Sequence, residues 1–464
     1  MTSITAPTYD PTTTATAMAQ KETSSAQELI TNQTSAATAT AKALKTLGSA
    51  ISSFQTSLSS LTGIGKSMLA QSAALSDATV GKATASASAS AGSYSLFVKQ
   101  LATASQKTYA VTDGALAQGT LRIALSATDT SATAPAFTVD LSQANTDSTP
   151  GLSAREVAAA INQAPGNNGR VSAGVATVNG VQQIVLTSKN TGADNTVWMS
   201  ASSTGGTPDY ALGSAQTLVA AQDASFWFGG QNGTEIVQSS NTFTAIDGVS
   251  FTATRAQAAS ESDLQLTVSG DTGTTTSNVQ AFVDAYNKLK SAVDASLDPG
   301  DAKNNTAAGA FAHDAGVQAL QGRLVSMLRT GGSPSLATYG ITAARDGTLK
   351  LDSTRLNKQL AANPDGLDKL IGSASISNPT GVAGALDKYL DQWSNTLTGQ
   401  IKSRTDANDK LQTTLTKRQA DLQTHYDAAY QRYLKQFTAL QSLQSTMNGN
   451  VSMFDAMFGS DKSS

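Results

Sequence analysis

A heptad-like hydrophobic pattern marks a helical stretch near the start of the chain. Six large apolar residues recur there at alternating spacings of three and four, which places them on one side of a helix. They are Leu44, Leu47, Ile51, Phe54, Leu58 and Leu61. Burial of these six side chains stabilises the helix by less free energy than the loss of backbone entropy costs. The sequence therefore predicts a partner helix, from this chain or from another copy.

A second and longer helix is predicted near the end of the chain. Residues 400–448 contain neither Gly nor Pro, and at about 1.5 Å per residue such a helix reaches roughly 70 Å. Its seam includes the polar Arg404 and Asn408 and shifts by one residue before Tyr426, which makes it adaptable. The large apolar members expected to meet a partner are Ile401, Leu411, Leu415, Leu422, Tyr426 and Tyr433.

Between these helices the hydrophobic period changes from about 3.5 to two. Tyr94, Leu96 and Val98 alternate with more polar residues, and a later set of strands, at 224–228, 250–253 and 263–268, is expected to pair with them. Residues 118–215 are predicted to form an insert with its own helix, which Ser153 and Glu156 begin as a capping box. Asn179-Gly180 predicts a hairpin turn within the insert.

These patterns predict an α+β multidomain protein with long terminal coiled-coil-like helices, a helical connecting domain and two antiparallel β-rich domains, one inserted in the other. The predicted segments are a disordered terminal leg segment (1–43), an N-terminal heptad helix (44–83), a β-rich plate (84–117 and 216–272), the α+β insert (118–215), a helical connecting domain with a β-hairpin at Asp346-Gly347 (273–385), and a C-terminal long helix with a tail (386–464).

Composition and charge exclude several classes of protein. Charged residues make up 14% of the chain and the net charge is −3, so the sequence predicts no nucleic-acid partner. Cysteine is absent, which excludes disulfides and thiolate chemistry. Neither a cleavable secretory signal nor a membrane-spanning apolar run is recognisable, and by these signals alone the protein would be cytoplasmic.

The residues that could carry catalysis do not form a recognisable motif. Gly65-Lys66-Ser67 resembles the end of a phosphate-binding loop, but Ser60 stands where the first glycine is required. Only His313 and His425 are present, too few for a histidine metal cluster, and the five glutamates show no catalytic pairing. We therefore expect no enzyme activity, no catalytic residues, no cofactor and no metal.

Several motifs, in order along the chain, match one known family. Residues 92–102 read GSYSLFVKQLA, and 160–164 read AINQA inside the capped helix. Further matches are SSNT at 239–242 with IDGV at 246–249, FVDAYN at 282–287, and the hairpin that ends in LKLD at 349–352. In these stretches the chain resembles the bacterial flagellar filament-capping proteins, also called hook-associated protein 2, from about residue 25 to its end.

The resemblance implies a structural role outside the cell. Proteins of this family form a closed ring of copies at the distal tip of the flagellum, where they promote folding and polymerisation of exported flagellin and prevent its loss. Implied partners are further copies, flagellin, hook–filament junction proteins and a type III export chaperone. The two helical seams would then serve self-association and filament contact. Two other readings stay open: a flagellin-like or hook-junction axial subunit, and a tip adhesin.

A short apolar tail follows the last predicted helix after Gly449. An exposed apolar tail favours premature association, and the resemblance implies a chaperone that covers this region before export. The candidate chaperone-binding residues are Phe437, Leu440, Leu443, Phe454 and Phe458. Folding of the tail onto the neighbouring helix is the alternative.

Overall fold

The computed structural model describes residues 10–111, 119–128, 136–147, 150–202, 214–304, 306–329, 335–375 and 377–458. The chain divides into two compact units. Unit 1 combines residues 1–68 with 275–464, and unit 2 comprises residues 69–274. The helices are α1 (Pro11–Thr62), α2 (Ala154–Gln163), α3 (Thr272–Leu297), α4 (Ala315–Arg329), α5 (Ser353–Ala362), α6 (Asp365–Ile371), α7 (Gly381–Ser394) and α8 (Gln400–Phe458).

The strands all pair antiparallel. They are β1 (Gln71–Leu75), β2 (Gly81–Ala85), β3 (Gly92–Gln100), β4 (Ala104–Ala110), β5 (Thr120–Leu125), β6 (Ala136–Asp140), β7 (Val171–Val178), β8 (Val181–Thr191), β9 (Val197–Ser202), β10 (Gln216–Val219), β11 (Ala224–Phe228), β12 (Thr234–Gln238), β13 (Thr242–Phe243), β14 (Val249–Ala253), β15 (Leu264–Gly270), β16 (Ile341–Ala343) and β17 (Leu349–Leu351).

Unit 1 is helical, with a core that both chain ends help to build. The N-terminal seam on α1 packs against α7 and α8, and Phe54 lies 6.4 Å from the rings of both Phe282 and Tyr286 on α3. The predicted hairpin is present as β16 and β17, with Ile341 opposite Leu351. Gly347 in its turn has φ +85°, a conformation that glycine adopts without strain.

Unit 2 contains the plate and the insert. The plate joins a five-stranded sheet, in the order β1-β15-β3-β11-β12, to a three-stranded sheet, β13-β14-β2, over one apolar core. The pairing of β3 with the later strands β11 and β15 is as predicted. Asn241 joins two of the sequence motifs, those at 92–102 and 239–242. Its side chain accepts a hydrogen bond from the Ala102 backbone N–H at 2.7 Å and donates one to the Ala102 carbonyl at 2.9 Å.

The insert packs α2 against the sheet β10-β4-β8-β7, with a second sheet β6-β5-β9, around a separate core. Ser153 and Glu156 form the predicted capping box, and hydrogen bonds from the Thr146 and Ser153 backbone N–H groups lower the pKa of the Glu156 carboxyl to about 2. The predicted hairpin at Asn179 also forms, since Val178 pairs with Val181 and both turn residues have positive φ.

Four predicted boundaries differ from the structure. The segment 1–43 was expected to be disordered, yet α1 begins at Pro11, because Asp10 accepts hydrogen bonds from two threonine N–H groups of the first turn. Residues 1–9 lie outside the described residues. The heptad helix was expected to reach residue 83, but it ends at Thr62, and the β1 and β2 strands that follow join the plate, where apolar residues at alternate positions meet its core.

The insert and the last helix also differ in extent. The insert was expected to span 118–215, but β4 and β10 on either side belong to its sheet, because β4 pairs with β8 and contributes Tyr109 to the insert core. The segment 386–464 is interrupted at residues 395–399, between α7 and α8. Gly449 does not end α8, which continues to Phe458.

Candidate assembly surfaces on the paired terminal helices

The terminal helices α1 and α8 run antiparallel and contact each other along most of α1. Early in α1, Glu22 contacts Arg432, and further along, the side chains of Gln27 and Gln419 exchange hydrogen bonds at 3.0 and 2.8 Å. The interface is rich in small side chains, which lets the helices approach closely. Its buried apolar residues beyond the N-terminal seam are Ala15, Ala19, Ile30, Ala37, Leu415 and Ala429.

The N-terminal seam lies inside unit 1. Five of its residues are no more than 2% exposed, and Leu61 is half-buried. The five are Leu44, Leu47, Ile51, Phe54 and Leu58. The seam therefore has its partner within the chain, which answers the question that the sequence left open. Its predicted role in self-association or filament contact stays a prediction, and that role would require this core to open.

The C-terminal seam is more accessible. Leu415 is 2% exposed, whereas Leu411 is 44% exposed. The other predicted contact residues, Ile401, Leu422, Tyr426 and Tyr433, are half-buried. Along the α1–α8 contact, Leu415 is therefore covered, whereas the other predicted contact residues are partly open to solvent. Their contact with another protein stays a prediction, and it does not require the core to open.

One ion pair fixes the distal part of the two helices. The Glu22 carboxylate accepts hydrogen bonds from Arg432 Nη2 at 2.6 Å and from the Tyr433 hydroxyl at 2.9 Å. The Arg432 guanidinium also lies 4.9 Å from the Tyr433 ring. These hydrogen bonds, that of Arg432 first, hold the pKa of the Glu22 carboxyl below its ordinary value. The pair is solvent-exposed, so it contributes more to register than to stability.

The polar seam residue Arg404 anchors the start of α8. Its guanidinium binds Asp314 through two nitrogens, at 2.5 and 3.0 Å, and lies 5.6 Å from the Trp393 ring and 6.0 Å from the Phe311 ring. The Arg404 hydrogen bonds hold the pKa of the Asp314 carboxyl below its ordinary value. Bidentate pairing with aromatic stacking is a geometry that lysine cannot reproduce. Arg404 is therefore a positioning residue for α8.

The last part of α8 extends past the start of α1. Pro11 lies eleven residues before Glu22, so α1 begins opposite a point about eleven residues beyond Arg432 on α8. We call residues 440–458, which begin about three residues before that point and continue to the end of α8, the overhang. Leu440, Leu443, Met447 and Val451 on it are 49–58% exposed, and their spacings of three, four and four place them on one side of the helix.

The candidate chaperone-binding residues lie on or next to the overhang. Phe437 is half-buried and its ring lies 6.4 Å from that of Tyr433. Leu440 and Leu443 are exposed, as is Phe454 at 61%. The side chain of Phe458 lies outside the described residues. The four described residues therefore occupy one continuous helix, and the alternative that the tail folds back onto it does not apply to residues 449–458.

Sequence reasoning missed the residues that set the register of the two helices. Glu22, Gln27 and Gln419 lie outside any apolar pattern, and their contacts join positions about 400 apart. Arg404 is a polar member of the predicted seam, but the sequence does not indicate that Asp314 is its partner. An arginine at a half-buried position in a hydrophobic seam is a signal that an acidic partner is nearby.

The residues first considered for catalysis are dispersed. Ser67 of the Gly-Lys-Ser stretch donates a hydrogen bond to Asp368, and so joins the loop after α1 to α6. His313 and His425 are both exposed. Across the residues that the structure describes, no group of three or more potential metal ligands occurs. Among the described helices, none is long and apolar enough to cross a membrane.

Comparison with known proteins decides the family. The chain is 32% identical over 379 residues to the lateral flagellar hook-associated protein 2 of Vibrio parahaemolyticus, covering 80% of this chain and 82% of that protein. This chain belongs to the flagellar hook-associated protein 2 family. It is also 30% identical over 463 residues to flagellar hook-associated protein 2 of Escherichia coli, covering 94% of this chain and 93% of that one.

Family models and a solved structure agree with this membership. The models for the N-terminus and the C-terminus of flagellar hook-associated protein 2 match residues 8–105 and 221–449. The crystal structure of the D1-D2-D3 domains of the Escherichia coli flagellar cap protein FliD aligns with a TM-score of 0.60 at 27% identity. It covers 79% of this chain and 99% of that structure. The multidomain α+β fold class of this hook-associated protein 2 family member is thereby confirmed.

Proposed function

We propose that this protein is a flagellar filament cap. In this role, copies form a closed ring at the distal tip of the filament, outside the cell, and promote the folding and polymerisation of exported flagellin. The observation that carries the proposal is membership of the hook-associated protein 2 family over both chain ends and most of the chain between them. The role is structural, and requires binding surfaces rather than catalysis.

The paired terminal helices supply surfaces suited to this role. They form a long helical pair with accessible apolar edges at Leu411, Leu422 and Tyr426, and with an exposed apolar stripe on the overhang. Exposed apolar stripes of this kind mark sites of protein–protein contact. We propose that these surfaces serve self-association as well as contact with the filament and the hook–filament junction proteins. The domain boundaries of such a cap follow the two units, with the plate and insert together in unit 2.

Electron microscopy and motility together test the proposal. Purified full-length protein should form small closed rings, and expression in a flagellated strain that lacks its own cap gene should restore filament growth and swimming. An empty vector and the same gene with an early stop codon are the controls. Open filaments of the purified protein would favour the axial-subunit alternative. Failure of the intact, secreted protein to restore filaments would contradict the cap function.

We further propose that an export chaperone covers the end of α8 before secretion. The predicted contacts are Phe437, Leu440, Leu443, Phe454 and Phe458, in a helix-in-groove mode. A chain ending at residue 435 retains the contacts of Glu22 with α8, so it should stay folded but lose chaperone binding. Calorimetric titration of both chains against the chaperone measures this. Equal affinity of the two chains would place the chaperone site elsewhere.

A further inference from the structure

A groove runs along one side of the α1–α8 pair. Two adjoining cavities of about 470 and 660 Å³ share Gln423 and extend over residues 20–35 of α1 and 412–426 of α8. We call them together the interhelical groove. Ile30, Leu415 and Leu422 contribute apolar side chains to it, and serines, threonines and glutamines form most of the remaining lining.

The groove exists because α1 carries small side chains here. Over the stretch that faces the larger residues of α8, the α1 side of the contact offers Ala19, Ile30 and Ala37 as its buried apolar residues. A helix with so few large side chains leaves gaps beside those of its partner. An additional helix with larger apolar side chains would fill these gaps and remove the floor residues from water.

We propose that the interhelical groove of one copy binds the overhang of a second copy. The lengths agree: the α1 residues that line the groove span sixteen positions, 20–35, about 24 Å, and the apolar stripe, which Phe454 continues, spans residues 440–454, about 22 Å. Both surfaces carry little charge, and the one charge on each is acidic, so the contact depends on apolar burial rather than on charge attraction. Glu28 is the one charged residue among the described residues that line the groove, and Asp455 is the one charged residue of the overhang.

The overhang cannot occupy the groove of its own chain. Because α8 is one helix from Gln400 to Phe458, the overhang continues away from the groove, which lies on an earlier part of the same helix. The contact therefore has to be intermolecular. The groove and the overhang are different surfaces, so each bound copy still offers one of each to further copies. Repetition of such a contact produces either a ring or an open chain.

This inference rests on the proposed self-assembly and assigns it a contact. Apolar stripe residues at spacings of three and four suit helix-in-groove binding, with Leu443 and Met447 near the centre of the stripe. Gly449 adds no side chain to this part of the overhang. The walls of the groove carry one charged residue, Glu28, and so disfavour strongly charged helices, since burying an unpaired charge is unfavourable.

Cross-linking between single-cysteine chains tests the contact, because the natural chain contains no cysteine. One full-length chain carries Ser24→Cys in the groove, and a second carries Gln444→Cys at the edge of the stripe. A short bismaleimide reagent should join these two chains when they are mixed. The matched control is Ser442→Cys, which lies about 160° around the helix from Gln444. Mixed with Ser24→Cys, it should give little covalent dimer.

A second experiment tests the contact by removing an apolar side chain from the overhang. Met447→Ser should weaken self-association by about tenfold to a hundredfold in analytical ultracentrifugation, as expected for the loss of one buried side chain of this size. Ser442→Ala is the control and should leave self-association unchanged. Circular dichroism of each variant establishes that the helices remain folded, since both positions are exposed.

The outcomes separate this contact from the cap function. Rings in electron microscopy without the specific cross-link would overturn the contact and leave the proposed function standing. A specific cross-link with open chains instead of rings would support the contact and contradict the closed cap. Equal cross-linking by Gln444→Cys and Ser442→Cys would show random collision and overturn the contact. The absence of both rings and the specific cross-link would overturn the contact and the cap function together.

Discussion

Replacing Ile51 by aspartate should unfold unit 1 while unit 2 stays folded. Ile51 is fully buried in the N-terminal seam, between Leu47 and Phe54 on the same side of α1. The substitution removes a large apolar side chain, which typically costs about 2–5 kcal/mol in a core. It also places a carboxylate without a partner in that core, which costs several kcal/mol more or forces its protonation.

The sum is comparable to the total stability of a domain, which is about 5–15 kcal/mol. Unit 1 of Ile51→Asp should therefore be largely unfolded at 25 °C. Unit 2 has separate cores in its plate and insert, so its stability should change little. Filament growth and motility should be lost with the folding of unit 1, rather than through removal of a surface contact.

Tryptophan fluorescence can follow the two units separately. Trp393 lies in unit 1, and Trp198 and Trp227 lie in unit 2. In urea titrations of a chain with phenylalanine at the two unit 2 positions, the Trp393 transition should disappear in Ile51→Asp. The control is Ser53→Asp, which adds the same charge at an exposed position of α1. A Trp393 transition of Ile51→Asp that matches the control would refute the core position of this seam.

Four further predictions concern polar contacts and the exposed end of α8. Because the pKa of the Glu22 carboxyl is lowered, its contact with α8 should stabilise the distal helices above about pH 4 and be lost as the pH falls through the lowered pKa. Spin-label distances between α1 and α8 should show this opening, and Glu22→Gln should lack the pH dependence. Arg404→Lys should destabilise unit 1 by about 1–2 kcal/mol, measured by urea unfolding, because the fork to its carboxylate partner is lost; an unchanged midpoint would contradict its anchoring role. Asn241→Ala should cost unit 2 about 1–3 kcal/mol, because two backbone groups lose their partner. In hydrogen exchange, amides of residues 440–458 should exchange much faster than those of 44–62.

Sequence reasoning succeeded where the signal is local. The Ser153 capping box, the Asn179 turn and the Asp346 hairpin each depend on residues within a few positions of one another. Alternation in β3 also predicted its pairing with later strands, because one buried face fixes which residues point inward. The heptad pattern of α1 predicted which side chains would be buried.

The pattern could not show which helix would cover α1. Whether a seam meets its own chain or another copy depends on contacts between positions hundreds of residues apart, and no local signal encodes them. The same limitation applies to β4. Its residues alternate as a strand should, but only the pairing with β8 shows that it belongs to the insert. The register of α1 on α8 depends on Glu22 and Gln27, which sit in a polar stretch with no apolar pattern.

The division of unit 1 between the two chain ends has a consequence for the order of folding. Unit 2 is one continuous segment, so all of its contacts are available once residue 274 has left the ribosome or an export channel. By contrast, the Gln27–Gln419 contact closes a loop of 392 residues. Closing such loops is entropically unfavourable and slow. When the amino end emerges first, the plate and insert should therefore form early, while α1 stays without its partner until nearly the whole chain has followed.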